Sequence, residues 1–355
     1  MTHTVGIRRT LVAAVTAATV LTGMTPSVQA APSATTGLYG AADPTYDGVF
    51  RQSLAIMGLA ANDIAPPAAA ISWLLGQQCA DGSFEAYRSD LAKPCGKPDP
   101  VNFTGPDTNS TATALMALMA LDDSRVPVPA ATVSKVVDAA EKAGTWLRRN
   151  QNADGGWAYY AGGASDANST GLSLAGILTQ APNYGFPAYR KASRFLGTLS
   201  ASCADGGGLA YQAGSRVDGS ATAQGLVGLV GPMPISGPRT LAVAARCANT
   251  ATAKAVSYLA TSLKPTGLLT GATGGADYSN TATAVLGLVA AGTGRASVAA
   301  ATTALKANAA TYVTGGGTSP GAAGLLLMVA EATGARPTSF GGVNLVRTLN
   351  ASIRK

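Results

Sequence analysis

Six stretches of the chain are apolar or small at nearly every position, and each follows a short polar cluster. Four share one pattern without gaps: DTNSTATALMAL from Asp107, DANSTGLSLAGI from Asp166, DGSATAQGLVGL from Asp218 and DYSNTATAVLGL from Asp277. Their spacings of 59, 52 and 59 residues suit a helix, a connection, a second helix and a return loop. Weaker copies extend the series to both ends, DGVFRQSLAIMGLAA from Asp47 and SPGAAGLLLMVAEA from Ser319. A helix that is apolar all round is buried on all sides, so these six are predicted to be inner helices. Their leading Asp, Ser, Thr and Asn residues satisfy the orphan N–H groups of a first turn, and Pro320 suits the first helical position.

Two-faced segments lie between them. Val133, Val136, Val137, Ala140 and Leu147 fall on one side of a helix while Lys135, Asp138, Glu141 and Arg148 fall on the other. Comparable segments start near Pro66, Pro187, Ala248 and Arg295, and GVNLVRTLNASI, with Val343, Val346, Leu349 and Ile353, supplies a sixth. Six inner and six outer helices close a ring, which predicts an all-α fold, an α6/α6 toroid over residues 47–355. An open solenoid is the alternative. Solenoids carry polar end caps, whereas the terminal repeats here are nearly as apolar as the middle ones.

The ends of the outer helices carry a second motif. WLLGQQCADGSF from Trp73 and WLRRNQNADGGW from Trp146 superpose as W-L-x3-Q-x2-D-G-x-aromatic, and FLGTLSASCADGGGL from Phe195 and YLATSLKPTGLL from Tyr258 are degenerate copies. These segments resemble the QW-type repeats of squalene and hopene cyclases and, more broadly, of the prenyltransferase and squalene-oxidase repeat proteins. The resemblance implies an α/α toroid with a central cavity. It implies structural roles for Trp73, Gln78, Phe84, Trp146, Gln151 and Trp157: the glutamines bond backbone, and Phe84 and Trp157 pack against neighbouring repeats.

The resemblance carries architecture further than activity. Class II terpenoid cyclases protonate an alkene with Asp-x-Asp-Asp, and no such motif is present; Asp122-Asp123, in LDDSRVP, reads as a cap or solvated turn. Prenyltransferase β subunits hold zinc with Asp, Cys and His, but His3 is the only histidine and it falls in the leader described next. Its loss also excludes Ser-His-Asp and Cys-His nucleophile systems. The Gly-Cys-Gly-Glu-Gln segment of complement-like thioester toroids is missing as well. No cofactor and no metal site is expected, no catalytic residue is assigned, and whether the chain is an enzyme stays open with the balance toward not.

Composition adds the compartment. Arg8-Arg9, the apolar stretch LVAAVTAATVL and the small residues around Val28-Gln29-Ala30 read as a signal peptide over residues 1–30, cleaved near Ala30, followed by a linker over 31–46. An extracellular, secreted protein is expected, with no membrane insertion. Four cysteines in an exported chain suggest two disulfides, and three pairings exist; sequence proximity favours Cys79 with Cys95, leaving Cys203 with Cys247. The formal net charge is +7, without any long run of Lys and Arg past the leader, so nucleic acid is not an expected partner. Oligomeric state is not legible.

Two groups of residues are candidates for ligand contact. Asp107, Asp166, Asp218 and Asp277 occupy equivalent positions around one rim, where capping competes with a carboxylate ring. Tyr87, Tyr159, Tyr160, Tyr211 and Tyr278 recur between an outer helix and the next inner helix, and flat amphipathic rings suit sugars, ring systems or extended lipids. The expected function is a secreted, non-catalytic toroid that binds an apolar or ring-shaped small molecule or a cell-surface polymer. The alternatives are a terpenoid cyclase-like or carbohydrate-active enzyme using cavity carboxylates, a cobalamin-binding toroid without the β domain of vitamin B12 carriers, and a surface scaffold.

Overall fold

The computed structural model describes residues 36–355 except Ser124, Tyr184, Gly185, Ile235, Ala244 and Gly316. The expected signal peptide over 1–30 and the first part of the expected linker lie outside the described residues. Six inner helices alternate with outer ones. The inner set is α1 (Gly48–Ala61), α3 (Thr108–Leu121), α5 (Ala167–Gln180), α7 (Gly219–Val230), α9 (Tyr278–Ala290) and α12 (Pro320–Thr333). The outer set is α2 (Ala68–Gly76), α4 (Ala130–Arg149), α6 (Pro187–Thr198), α8 (Ala251–Ser262), α10 (Arg295–Ala307) and α13 (Leu345–Ala351), with a short α11 (Ala309–Thr314) after α10. Every inner helix begins where its polar cluster predicts.

Each inner helix packs on the next, α12 packs on α9, and α1 packs back on α12. The ring is therefore closed. Its seam is also stitched by main chain: Leu38 O accepts from Arg354 N–H at 2.9 Å, Gly37 N–H donates to Arg354 O at 2.9 Å, and Gly40 N–H donates to Ser352 O at 2.9 Å. The Arg354 guanidinium adds bonds to Gly40 O (2.7 Å) and Ala42 O (2.6 Å). Buried Gln52 holds the same segment, accepting from Tyr39 N–H and donating to Gly37 O and Ala70 O.

Small residues set how tightly the inner ring closes. A Cβ on Gly324 would sit 2.2 Å from Leu54 O, and one on Gly58 would sit 2.5 Å from Gly324 O, so α1 and α12 touch backbone to backbone. Gly171 and Gly228 do the same for α5 and α7, where added Cβ atoms would lie 2.1 Å from Gln224 O and 2.4 Å from Gly171 O. Beyond their second turns the inner helices are buried nearly throughout. The open central cavity that the resemblance implies is thus absent among the described residues: Ala, Gly, Leu and Val fill the axis.

The connection from α7 to α8 closes the end where inner helices finish. Thr179 Oγ1 accepts from Met233 N–H (3.0 Å) and donates to Met233 O (3.1 Å), and Arg125 reaches Ser236 Oγ at 2.9 Å. Gly237 N–H donates to Glu331 at 2.9 Å, and Arg295 holds Leu241 O at 2.7 Å. A hollow of only about 130 Å³ remains beneath this strap, between Ala60, Met119, Ala120 and Met233. Asp123 is the ion-pair partner of Arg125 there (2.7 Å) and Asp122 ends α3, so the acidic pair is a structured turn.

The disulfides are Cys79–Cys95 and Cys203–Cys247, which leaves no free cysteine. Among the described residues no helix is long and apolar enough to cross a membrane. Because two helix backbones meet at Gly324, Gly324→Val should lower unfolding free energy by about 2–3 kcal/mol, as overpacking does; urea denaturation measures it. Gly162→Ala, where nothing stands within 4 Å of the added atom, should cost only the strain of its positive φ, about 1–2 kcal/mol.

Candidate functional site

The opposite end of the ring, where inner helices begin, collects the sequence-predicted residues. Its repeating unit starts with a capping carboxylate. Asp107, Asp166, Asp218 and Asp277 each accept, through Oδ1, the N–H three residues on, at 2.7, 2.8, 2.7 and 2.9 Å. Ser319 caps α12 in the same way, while Asp47 pairs instead with Arg51 at 2.9 Å. Sequence reasoning missed the second half of the unit, a threonine four residues after each carboxylate. Thr111, Thr170, Thr222 and Thr281 accept the N–H of Phe84, Trp157, Leu209 and Leu269 at 2.9–3.0 Å. Three of these hydroxyls donate back to the carbonyl of their own capping Asp. The signal was present as a fixed Asp-to-Thr offset in all four copies.

Each incoming turn is thereby locked onto the inner helix it precedes. Short pairings complete the lock: β1 (Phe84–Glu85) lies antiparallel to β2 (Pro106–Asp107), and β3 (Leu269–Thr270) to β4 (Ala276–Asp277), while Trp157 bridges Asp166. A glycine makes the turn possible. Gly82 and Gly155 have φ of +95° and +96°, and an added Cβ on either would fall 2.6 Å from the carbonyl of Lys142 or Lys191 in the following outer helix. Gln78 donates to Gly82 O (3.1 Å) and Ala139 O (2.8 Å); Gln151 makes the matching bonds to Gly155 O (2.8 Å) and Ala188 O (2.9 Å). Trp157 is fully buried and donates to Leu147 O at 2.8 Å, Phe84 is equally buried, and Trp146 donates to Asp81 at 3.1 Å. Trp73 stacks on Tyr87 with ring centroids 6.4 Å apart.

The tyrosines join adjacent repeats. Tyr159 O accepts from Thr108 N–H at 2.8 Å, and Tyr211 O accepts from Ala167 N–H at 2.9 Å, so each turn also caps the preceding inner helix. Tyr159 and Tyr160 meet edge to face at 4.7 Å beside Asp107, and Tyr211 lies against Asp166. Farther round, Tyr278 contacts Tyr312 at 5.4 Å and donates to Asn308 at 3.2 Å, while Ser279 bonds the Tyr312 hydroxyl at 2.8 Å. Tyr160 is packed away; Tyr87, Tyr159, Tyr211 and Tyr278 keep part of their surface in solvent.

Burial dominates the electrostatics. Asp107 and Asp166 are each only 1% exposed. Desolvation raises Asp107 to about 7 and Asp166 to about 6 against the N–H and hydroxyl bonds that pull the other way, and Glu85 adds repulsion at Asp107. Burial raises Asp218 too, with Asp277 adding to it, and pushes Tyr211 up to about 12. Cys79, Glu85 and Cys95 stand together, but the two sulfurs are bonded to each other and offer no thiolate to a metal. A hollow of about 360 Å³ on the outer wall, lined by Asp81, Asp138, Glu141, Lys142, Thr145 and Arg149, lies apart from this end.

No protein-family model matches this sequence, and no curated protein matches it. Among solved structures the chain is similar to a glycosidase, with 16% identity over 84% of this chain and 92% of that one and a TM-score of 0.48. It is similar to the type II terpene cyclase MstE from Scytonema, with 16% identity over 72% and 78% and a TM-score of 0.34, and to a protein from Actinoplanes, with 16% over 71% and 78% and a TM-score of 0.31. Such distant likeness assigns no activity to this chain.

A raised carboxylate favours the folded state when protonated. Unfolded aspartates titrate near 3.9, so stability should rise as pH is lowered from about 8 to about 4, and the paired carboxylates Asp43, Asp90, Asp99 and Asp123, whose values are lowered, forfeit theirs only below that window. Melting temperature against pH checks the sign, and Asp107→Asn should flatten the upper part of the slope. Thr170→Val, which strands the buried Trp157 N–H, should cost about 1–3 kcal/mol by urea denaturation.

Proposed function

We propose that this chain is an exported, non-catalytic binding toroid that holds a cell-surface polymer against the end of the ring where its inner helices begin. The observation that carries this reading is the commitment of the rim carboxylates. Asp107 and Asp166 are buried, and their oxygens are taken by first-turn N–H groups and, at Asp166, by the Ser169 hydroxyl. A glycosidic or alkene substrate needs an accessible acid, and these groups instead serve their helices. The same end offers contact surface: Tyr87, Tyr159, Tyr211 and Tyr278 are each partly exposed among short Gly-rich turns.

A polymer fits this end better than an enclosed apolar guest, because the axis is filled with side chains and the hollow under the far strap holds about 130 Å³. Export supports the partner class, and the two disulfides fit an oxidising compartment. The signal-peptide character of the leader and the QW-type character of the turns belong to this proposal as well.

The test is co-sedimentation of the purified protein with cell walls from its own source. Tyr159→Ala and Tyr211→Ala should each reduce retention about tenfold, the scale of an interface aromatic, while melting within a few degrees of the parent. Equal retention by both variants would contradict the proposal. Turnover of a wall polysaccharide, abolished by Asp107→Asn, would replace binding with catalysis.

A further inference from the structure

Inside the tyrosine rim, the first two turns of the inner helices carry a continuous line of amides and hydroxyls. Asn168 of α5 donates to Ser220 of α7 at 3.4 Å, Gln224 of α7 shares Ser220 at 3.4 Å, and Gln224 donates to Asn280 of α9 at 3.1 Å. Asn109 of α3 holds the position equivalent to Asn168, two residues after its capping Asp. None of these groups is charged. All are partly exposed, in contrast to the buried apolar residues that follow them down each helix.

Their bonding is incomplete. Asn109 Oδ1 and Asn168 Oδ1 are buried with no hydrogen-bond partner, and the buried hydroxyls of Thr108 and Ser173, on the same two helices, are unpaired as well. Unpaired buried acceptors are uncommon in folded proteins, and they concentrate here in the early turns of α3 and α5. Ring packing at Gly171 and Gly228 fixes the spacing of α5 and α7, so the line is a rigid one.

We infer that this amide line is a subsite for a neutral, hydroxyl-rich ligand, a saccharide unit of a glycan. Alternating amide and hydroxyl groups offer both donors and acceptors, which is what vicinal sugar hydroxyls require, and the partly exposed rings of Tyr159 and Tyr211 flank it with flat apolar surface. A charged polymer would find no counter-charge in the line itself. The inference rests on the binding role proposed above and adds the chemistry of the ligand.

The probes are chitin, cellulose and starch as neutral insoluble glycans and alginate beads as an anionic one, each with the full chain at low salt and at 0.5 M NaCl. The expected result is retention on a neutral glycan, unchanged by salt, with Asn168→Ala and Gln224→Ala each weakening it at least fivefold. Asn168→Asp, which keeps the shape of the side chain, guards against misfolding and should weaken it similarly at an unchanged melting temperature. Retention on a neutral glycan that the three variants leave intact overturns the amide subsite alone. Retention only on alginate, lost in salt, overturns the neutral-glycan chemistry but leaves a polymer-binding face; retention on none of the four overturns both.

Discussion

The start of each of four inner helices lies between two repeats, where first-turn N–H groups cannot all turn to water. A helix begun in that setting must supply its own acceptors, and the capping carboxylates are the answer to that constraint. The rest of the repeat is organised around them. Thr111, Thr170, Thr222 and Thr281 draw the preceding turn onto the capped helix, and the turn in turn presents its glycine, and in two copies its glutamine, to the next outer helix. One polar cluster of five residues therefore joins an inner helix to its incoming turn, and through the turn to its outer neighbour.

Burial of those carboxylates has a chemical consequence. Asp107 and Asp166 titrate high because they are desolvated, and a raised value of that kind is also what an acid catalyst needs. Geometry separates the two meanings. Oxygens held by Ser110 N–H and Ser169 N–H, with 1% of the residue exposed, serve the helix and not a substrate. The partly exposed tyrosines and neutral amides at this end stand among loops that also carry exposed Lys93, Lys97 and Arg216, and the strap from α7 to α8 covers the other end.

Much of the fold was legible because its two repeated signals are local. The apolar stretches, five led by Asp and one by Ser319, locate all six inner helices, and the superposed Trp73 and Trp146 segments locate the turns, including the bonds of Gln78 and Gln151. The seam was not legible: Leu38 with Arg354 is a contact between chain ends, and no spacing points to it. Nor was the filled axis, since Gly58, Gly171, Gly228 and Gly324 read as helix-weakening residues until two backbones are seen to meet there. In the candidate site, the capping role of the four aspartates followed from their positions. The amide line did not, because Asn168, Gln224 and Asn280 come together only when three helices are placed side by side.

Hydrogen exchange of the whole protein with and without a retained wall polymer tests the central claim most directly. The account predicts added protection in residues 104–112, 157–172 and 208–224, with the outer helices and the strap at 231–243 unchanged. Protection confined to the outer wall around Asp138 and Lys142, or to the strap, would contradict it.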